Sequence, residues 1–253
     1  MSSASAADRP TITFVGHASV AIQVAGTTIL TDPVLTDRLK HLRRVGAVAE
    51  DFDPATIDVV AISHQHHDHL HVASLKRLPR SAHAVVPRGL GTKVAKLGFE
   101  RVSELTVGES VDHDRVTITA VPAHHDDHRH PGMARIEPLG YVFDADGWSA
   151  YFPGDTDVYP EMADLHPDLT LIPVWGWGPT LGGGHLDPER AAEALELLGS
   201  RTAIPIHWGT LWPYHVRRND RLTLPPKELA DAVHRRGLDV DVIEVPPGGT
   251  VTL

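Results

Sequence analysis

Histidine is concentrated in two short stretches of this 253-residue chain: five lie between His64 and His71 and four between His124 and His130, half of the 18 present. A histidine serving only as a surface polar group has no reason to cluster, whereas imidazole binds divalent metals readily, so metal binding is the first chemistry suggested. In an extended segment, residues two apart point to one side. His64 and His66 can then share one ion while the turning chain aims Asp68 and His69 at another. The chain has no cysteine, which excludes disulfides, thiolate nucleophiles and sulfur-ligated metal clusters. Any metal shell must be built from nitrogen and oxygen.

Such side chains need strands to carry them. TITFV from Thr11, ASVAIQV and TTILTDP read as short antiparallel strands punctuated by Gly16 and Gly26. DVVAIS (58–63) is an apolar, β-branched run expected to form a buried strand ending at the first histidine cluster. A helix over 72–78, a strand over 84–86 and a helix over 91–97 follow. In the second half VTITAV (116–121), YVF, WSAYF, LTLIPV and TAIPI (202–206) read as strands. Asp187 as N-cap, Pro188 at the first helical position and Gly199 at the end bracket a helix. A last helix spans 226–236, and VDVIEV with TVTL closes the chain as strands. Residues 1–8 are small and polar and are expected to fray. Two groups of strands, each followed by helices, favour two sheets with helices outside. His64, His125, Asp155 and His207 each come just after a predicted strand, where the loops of α/β sheets gather and hold ligands.

The charge balance narrows the partners. Lys and Arg total 23 against 33 Asp and Glu, a formal charge of -10, which argues against nucleic acid because that affinity comes from clustered cations. The start MSSASAADRP lacks the basic and apolar regions of a signal peptide, and no apolar run reaches the roughly 18 residues of a membrane span. The expectation is a cytoplasmic protein without stable membrane association. Its oligomeric state is not legible.

The run His64-x-His66-x-Asp68-His69 resembles the hallmark of the metallo-β-lactamase-fold hydrolases. Supporting motifs in the same order are GHAS (16–19), TDP (31–33), PAHHDDHR (122–129), GDT (154–156), HLDPERA (185–191) and PIHWGT (205–210). Within that superfamily they are most similar to the branch of N-acyl-phosphatidylethanolamine phospholipase D and the ascorbate-6-phosphate lactonase-like proteins. The resemblance implies an α/β fold, a four-layer αββα sandwich of two mixed sheets with helices on the outer faces, as one domain over residues 9–253. It implies that His64, His66 and His125 hold a first metal, Asp68, His69 and His207 a second, and that Asp155 bridges them. His125 is chosen over His124 only because the family's motif is PAxH; the residues alone leave both open. Two divalent ions, zinc first and manganese or iron as alternatives, would be the cofactors. Five neutral imidazoles and two carboxylates around two such ions leave a net positive site, or a less positive one with a bridging hydroxide, which suits an anionic substrate or a developing oxyanion.

Roles implied for other residues follow. His185, with Asp68, is assigned to catalysis: it would position the substrate or protonate the leaving group, against the reading of a helix-end surface histidine. Asp32 would orient a ligand histidine, or be a plain turn residue, and His17 could act similarly. Arg129 matches PAxHxxxR and would steady the site or meet an anion, or be solvated. Trp175 and Trp177 are candidates for a pocket wall, Trp208 and Trp212 weaker ones. His67 and His71 are expected to face away from the metals. The expected function is a dinuclear metal-dependent hydrolase of a small anionic ester, a phosphodiester ahead of a lactone or other ester or amide. A non-catalytic metal-binding or sensing module is the alternative from another class.

Overall fold

The computed structural model describes residues 9–47, 49–50, 52–126, 135–175, 183–218 and 220–253. The expected tail over residues 1–8, and the site candidates Arg129 and Trp177, lie outside the described residues. In chain order the first half comprises β1 (Thr11–Gly16), β2 (Ser19–Val24), β3 (Thr27–Thr31), β4 (Arg38–Leu39), β5 (Leu42–Arg44), β6 (Val59–Ala61), α1 (Val72–Leu75), β7 (His83–Pro87), α2 (Gly91–Ala95) and β8 (Arg101–Leu105). The second half comprises β9 (Ser110–His113), β10 (Val116–Pro122), β11 (Leu139–Ala145), β12 (Trp148–Phe152), β13 (Leu169–Pro173), α3 (Pro188–Leu198), β14 (Thr202–Ile206), β15 (Leu211–Pro213), α4 (Pro225–Arg236), β16 (Asp241–Val242) and β17 (Thr250–Thr252).

Two seven-stranded sheets result, ordered β17-β1-β2-β3-β6-β7-β8 and β16-β14-β13-β12-β11-β10-β9. Both are mixed: β1-β2-β3 and β9-β10-β11-β12 pair antiparallel, β6, β7, β8, β13, β14 and β16 add in parallel, and β17 pairs antiparallel with β1. Side chains alternate across a strand, and β6 shows the consequence. Val59 and Ala61 join the core shared with the second sheet, while Val60 and Ile62 pack with Leu75 and Val94 beneath α1 and α2. The far face of the second sheet is covered by Ala191, Leu195 and Leu198 of α3 and Leu229 and Val233 of α4. Helix, sheet, sheet, helix is the metallo-β-lactamase sandwich expected from the sequence.

Several boundaries differ from expectation. The strand expected over 58–63 stops at Ala61, because Ser63 turns to bond Asp32 instead of continuing the ladder. The helices expected over 72–78 and 91–97 keep only their first turns. VDVIEV pairs with β14 only through Asp241 and Val242 and then runs into Pro246 and Pro247, which have no N–H to donate. A third sheet, β15-β5-β4, was not foreseen; its strands are two or three residues long, too short to show periodicity. Among the described residues, no helix is long and apolar enough to cross a membrane.

Candidate metal centre

Each candidate ligand sits where a strand stops. His64 follows β6, His125 follows β10, Asp155 follows β12 and His207 follows β14, so both sheets deliver their loops to one end of the sandwich. Gly154 allows the closest approach. Its φ is +63°, and a Cβ there would lie 2.5 Å from that of Ser63, so only glycine fits between the two loops. Three non-glycine residues of the site, His17, Asp32 and His207, have φ of 60°, 28° and 66°. Left-handed backbone of this kind is costly and persists where surrounding contacts over-determine it.

The contacts are visible. His17 N–H donates to Thr210 Oγ1 at 2.8 Å, and its carbonyl accepts from His207 N–H at 2.8 Å. Asp32, fully buried, accepts from Ser63 N–H at 2.7 Å, from Ser63 Oγ–H at 2.5 Å and from His69 Nδ1–H at 2.6 Å. With its hydroxyl hydrogen committed to Asp32, Ser63 accepts from His64 Nδ1–H at 2.9 Å. His125 Nδ1–H donates to the carbonyl of Gly184 at 2.8 Å and His207 Nδ1–H to that of Trp175 at 2.5 Å. In all four of these histidines the proton is therefore on Nδ1, and the Nε2 lone pair is turned inward.

Those lone pairs converge in two places. His64 Nε2 and His125 Nε2 lie 2.9 and 3.0 Å from His66 Nδ1, close to the roughly 3.3 Å edge of a tetrahedral shell built on zinc–nitrogen bonds of about 2.0–2.1 Å. Beside them His69 Nε2 lies 3.8 Å from Asp68 Oδ2 and 3.2 Å from Asp155 Oδ2, and His207 Nε2 lies 3.2 Å from Asp155 Oδ1. Asp155 thus turns one oxygen to His69 and the other to His207, with Oδ2 also 4.0 Å from His125 Nε2. His69 Nε2 and His207 Nε2 are buried without a hydrogen-bond partner. Buried acceptors left in this way fit an ion. His17, Asp68, His69 and His207 form one potential ligand group and His64, His66 and His125 another.

Electrostatics point the same way. Burial, reinforced by His69, pushes the His64 pKa well below its usual value; burial lowers His125 as well and takes His207 down to about 3. Burial also opposes charge on His69, yet Asp155, Asp32 and Asp68 together hold its pKa well above the ordinary imidazole value. Burial alone would raise the two carboxyls, but His69 and His17 bring Asp68 far down, and His207 and His69 do the same for Asp155. Ionised carboxylates beside His64, His125 and His207 held neutral, with His69 drawn toward its charged form by three carboxylates, leave a demand for positive charge at the cluster that a divalent cation would meet.

The structure brings His64, His66, Asp68, His69, His125, Asp155 and His207 together. His185 stands beside them, with Nε2 3.5 Å from Asp155 Oδ2 and its ring edge-on to His125 at 4.7 Å. His124 turns away: it is exposed, and its ring stacks on Tyr159 at 4.8 Å. His67 is exposed, and His71 bonds Ser74, both outside the cluster. His17 donates Nε2–H to Asp68 Oδ2 at 3.2 Å. Trp175, with Asp155, Thr156, His185, Leu186 and His207, lines a recess at the site. Trp208 instead packs in the core near Phe14, and Trp212 lies against Trp175 with ring centroids 6.2 Å apart. Sequence reasoning missed Ser63. Its only signal was its place directly before His64.

Comparison with known proteins agrees with this geometry. Residues 27–208 match the family model described as the beta-lactamase superfamily domain. A UPF0173 metal-dependent hydrolase of Methanopyrus kandleri is 31% identical over 244 residues, covering 94% of this chain and 97% of that protein. An N-acyl-phosphatidylethanolamine-hydrolyzing phospholipase D of Caenorhabditis elegans is 31% identical over 259 residues, covering 87% of this chain and 69% of its own. A metallo hydrolase from Ignicoccus hospitalis has the same fold, with a TM-score of 0.74 and 24% identity, covering 96% of this chain and 98% of that one.

Proposed function

The chain belongs to the beta-lactamase superfamily, and from that premise we propose that it is a dinuclear metal-dependent hydrolase of small anionic esters, phosphodiesters ahead of lactones. The observation that carries the reading is the pair of buried donor sets with Asp155 between them, 3.2 Å from His69 and from His207 of one and 4.0 Å from His125 of the other. His64, His66 and His125 would hold one divalent ion, Asp68, His69 and His207 the other, and Asp155 both. Nitrogen and oxygen donors suit zinc, with manganese and iron also compatible. When bound, such ions supply a water deprotonated near neutral pH and stabilise charge developing on the reacting centre.

The residues of the chain do the rest. Asp32 and Ser63 fix the tautomers of His69 and His64, and the Gly184 and Trp175 carbonyls fix those of His125 and His207. His185 stands beside Asp155, with Nε2 3.5 Å from Asp155 Oδ2, next to the cluster where the ester would react. In hydrolysis the ester P–O or C–O bond breaks, water supplies the new oxygen, and the leaving alkoxide takes a proton; His185 is the group placed to give it. The phosphodiester preference is supported by the phospholipase relative, whose name specifies a phospholipid substrate. A soluble substrate is favoured over a bilayer lipid because no amphipathic docking helix was evident in the sequence. The acidic chain is not expected to bind nucleic acid.

The test is a panel of phosphodiester and lactone probes with zinc- or manganese-loaded protein. Turnover that disappears in a folded Asp68→Ala variant is expected. A loaded wild type that cleaves neither class overturns the hydrolase reading and leaves a metal-binding module.

A further inference from the structure

One buried histidine beside the cluster is left over once the seven donors are assigned. His17, 4% exposed, lies between β1 and β2 in left-handed backbone that a histidine keeps only under constraint. The constraint comes from the other sheet. A Cβ on the preceding Gly16 would lie 2.7 Å from Thr210 Cγ2, so the loop after β1 and the loop after β14 are in direct contact. Thr210 Oγ1 accepts the His17 N–H at 2.8 Å and donates its own hydrogen to the Trp208 carbonyl at 3.0 Å. The GHAS and HWGT segments therefore hold each other across the sandwich, with His17 at the point of contact.

From there His17 reaches one donor set and not the other. Its carbonyl accepts the His207 N–H at 2.8 Å, its ring lies against the His207 ring with centroids 3.9 Å apart, and its Nε2 is 3.2 Å from Asp68 Oδ2. The His69 ring is 5.5 Å away. Among the described residues, none of its hydrogen bonds or ring contacts goes to His64, His66 or His125. Distance alone would make His17 a fourth donor beside Asp68, His69 and His207. The proton decides against it. His64, His69, His125 and His207 each donate Nδ1–H to a fixed acceptor and turn an Nε2 lone pair inward. His17 instead makes its side-chain hydrogen bond through Nε2, to a carboxylate that when ionised only accepts. Its Nε2 is the donor, and no lone pair on that edge of the ring remains for an ion.

We propose that His17 is a positioning residue for one half of the centre: its ring holds the Asp68 carboxylate and its carbonyl the His207 amide, so it sets the affinity of the Asp68, His69 and His207 set and not that of the three-histidine set. This rests on the dinuclear reading and deepens it. Filling of the second set, and with it the step from a one-ion to a two-ion centre, depends on a residue that is not itself a ligand.

Competition titration of zinc against a chromophoric chelator tests it, with the binding event that Asp68→Ala abolishes taken as the second set. His17→Gly removes the ring but keeps the carbonyl, in backbone that glycine adopts without strain. It is expected to weaken that event by about 10–100-fold and to leave the other within about twofold of wild type. His17→Gln, whose amide N–H can stand where Nε2–H does, is expected to recover most of the loss. At saturation with cobalt, the d–d bands of His17→Gly keep their wild-type positions, because no ligand has gone. Two unchanged events, or two weakened alike, overturn the proposal. A His17→Gln protein no better than His17→Gly also overturns it, assigning the ring to packing against His207. Shifted cobalt bands overturn it in favour of His17 as a ligand, and a metal-free His17→Gly protein that melts well below wild type overturns it in favour of a purely structural role. A wild type that takes up a single ion, more weakly in His17→Gly, keeps the role of His17 and removes the dinuclear reading; a single ion indifferent to His17 overturns both. The expected binding pattern in a protein that cleaves no ester keeps the proposal and removes the hydrolase reading.

Discussion

Asp32 acts on two ligand histidines at once, directly on His69 and through Ser63 on His64. It also adds a third buried carboxylate to the cluster, so that two divalent cations, as proposed, would be left with a single positive charge. Partners of this kind typically contribute 10–100-fold to metal affinity. A Ser63→Ala variant is expected to weaken one of two binding events by at least about tenfold while the other stays near wild type. Asp32→Asn should weaken both. Competition titrations with a chromophoric chelator distinguish the two patterns, and a Ser63→Ala protein with both events unchanged removes the hydroxyl from the network. His185→Ala is expected to keep its full metal content and to lose about 10²–10⁴-fold in turnover. Elemental analysis alongside initial rates checks it. Of the seven clustered residues, His64, His66, Asp68 and His69 were legible from type and short spacing, whereas His125, Asp155 and His207 were chosen on the separate motifs of the resemblance. Ser63 was not legible, since the worth of its hydroxyl depends on Asp32, 31 residues away.

α3 could be read almost to the residue, because its ends are written in local chemistry. Asp187 Oδ1 accepts from Arg190 N–H at 2.9 Å, Pro188 opens the helix, and Gly199 ends it at φ 60°. Asp187→Ala removes the cap and is expected to cost about 1 kcal/mol, measured as a shift in the denaturant midpoint. The loops between strands were harder. The small third sheet depends on β15 pairing with β5, distant in sequence, so nothing local announced it, and how little of the expected strand VDVIEV pairs is likewise decided by its distant partner β14. Gly154 shows how such a contact constrains the site. Gly154→Ala is expected to destabilise by roughly 1–3 kcal/mol and to push Ser63 from its place. Thermal unfolding of the metal-free protein and the same chelator titration read the two effects.

At the opposite end from the candidate metal centre, the sheets meet through two histidines that lie outside both clusters. His83 of β7 is fully buried, bonds Ser103 of β8 at 2.8 Å and lies 3.4 Å, Nδ1 to Nδ1, from His113 of β9. Burial, then Arg101 and His113, lowers its pKa to about 4. The unfolded chain therefore binds a proton near pH 6.5 that the folded chain refuses until about pH 4. Stability is complete above the unfolded value and falls as pH drops through that window, by roughly 2–3 kcal/mol from this group. Urea unfolding of metal-free protein should show the slope flattened by about that amount in His83→Gln relative to wild type. An identical slope would place the acid sensitivity elsewhere.

The first sheet is closed by the pairing of Thr11 with Thr252, across nearly the whole chain. Until that strand docks, β1 has one open edge, and the carbonyl and amide of Phe14 lack their partners Gly248 and Gly249. Long-range closure of this kind is slow, because chain entropy is lost before the contacts form. Ions arriving early would meet candidate ligands still spread over separate loops, so on the proposed reading they would act as a lock on a nearly finished molecule rather than as a nucleus. Removing β17 should accordingly leave the edge of β1 open to intermolecular pairing without altering any residue of the histidine and aspartate cluster.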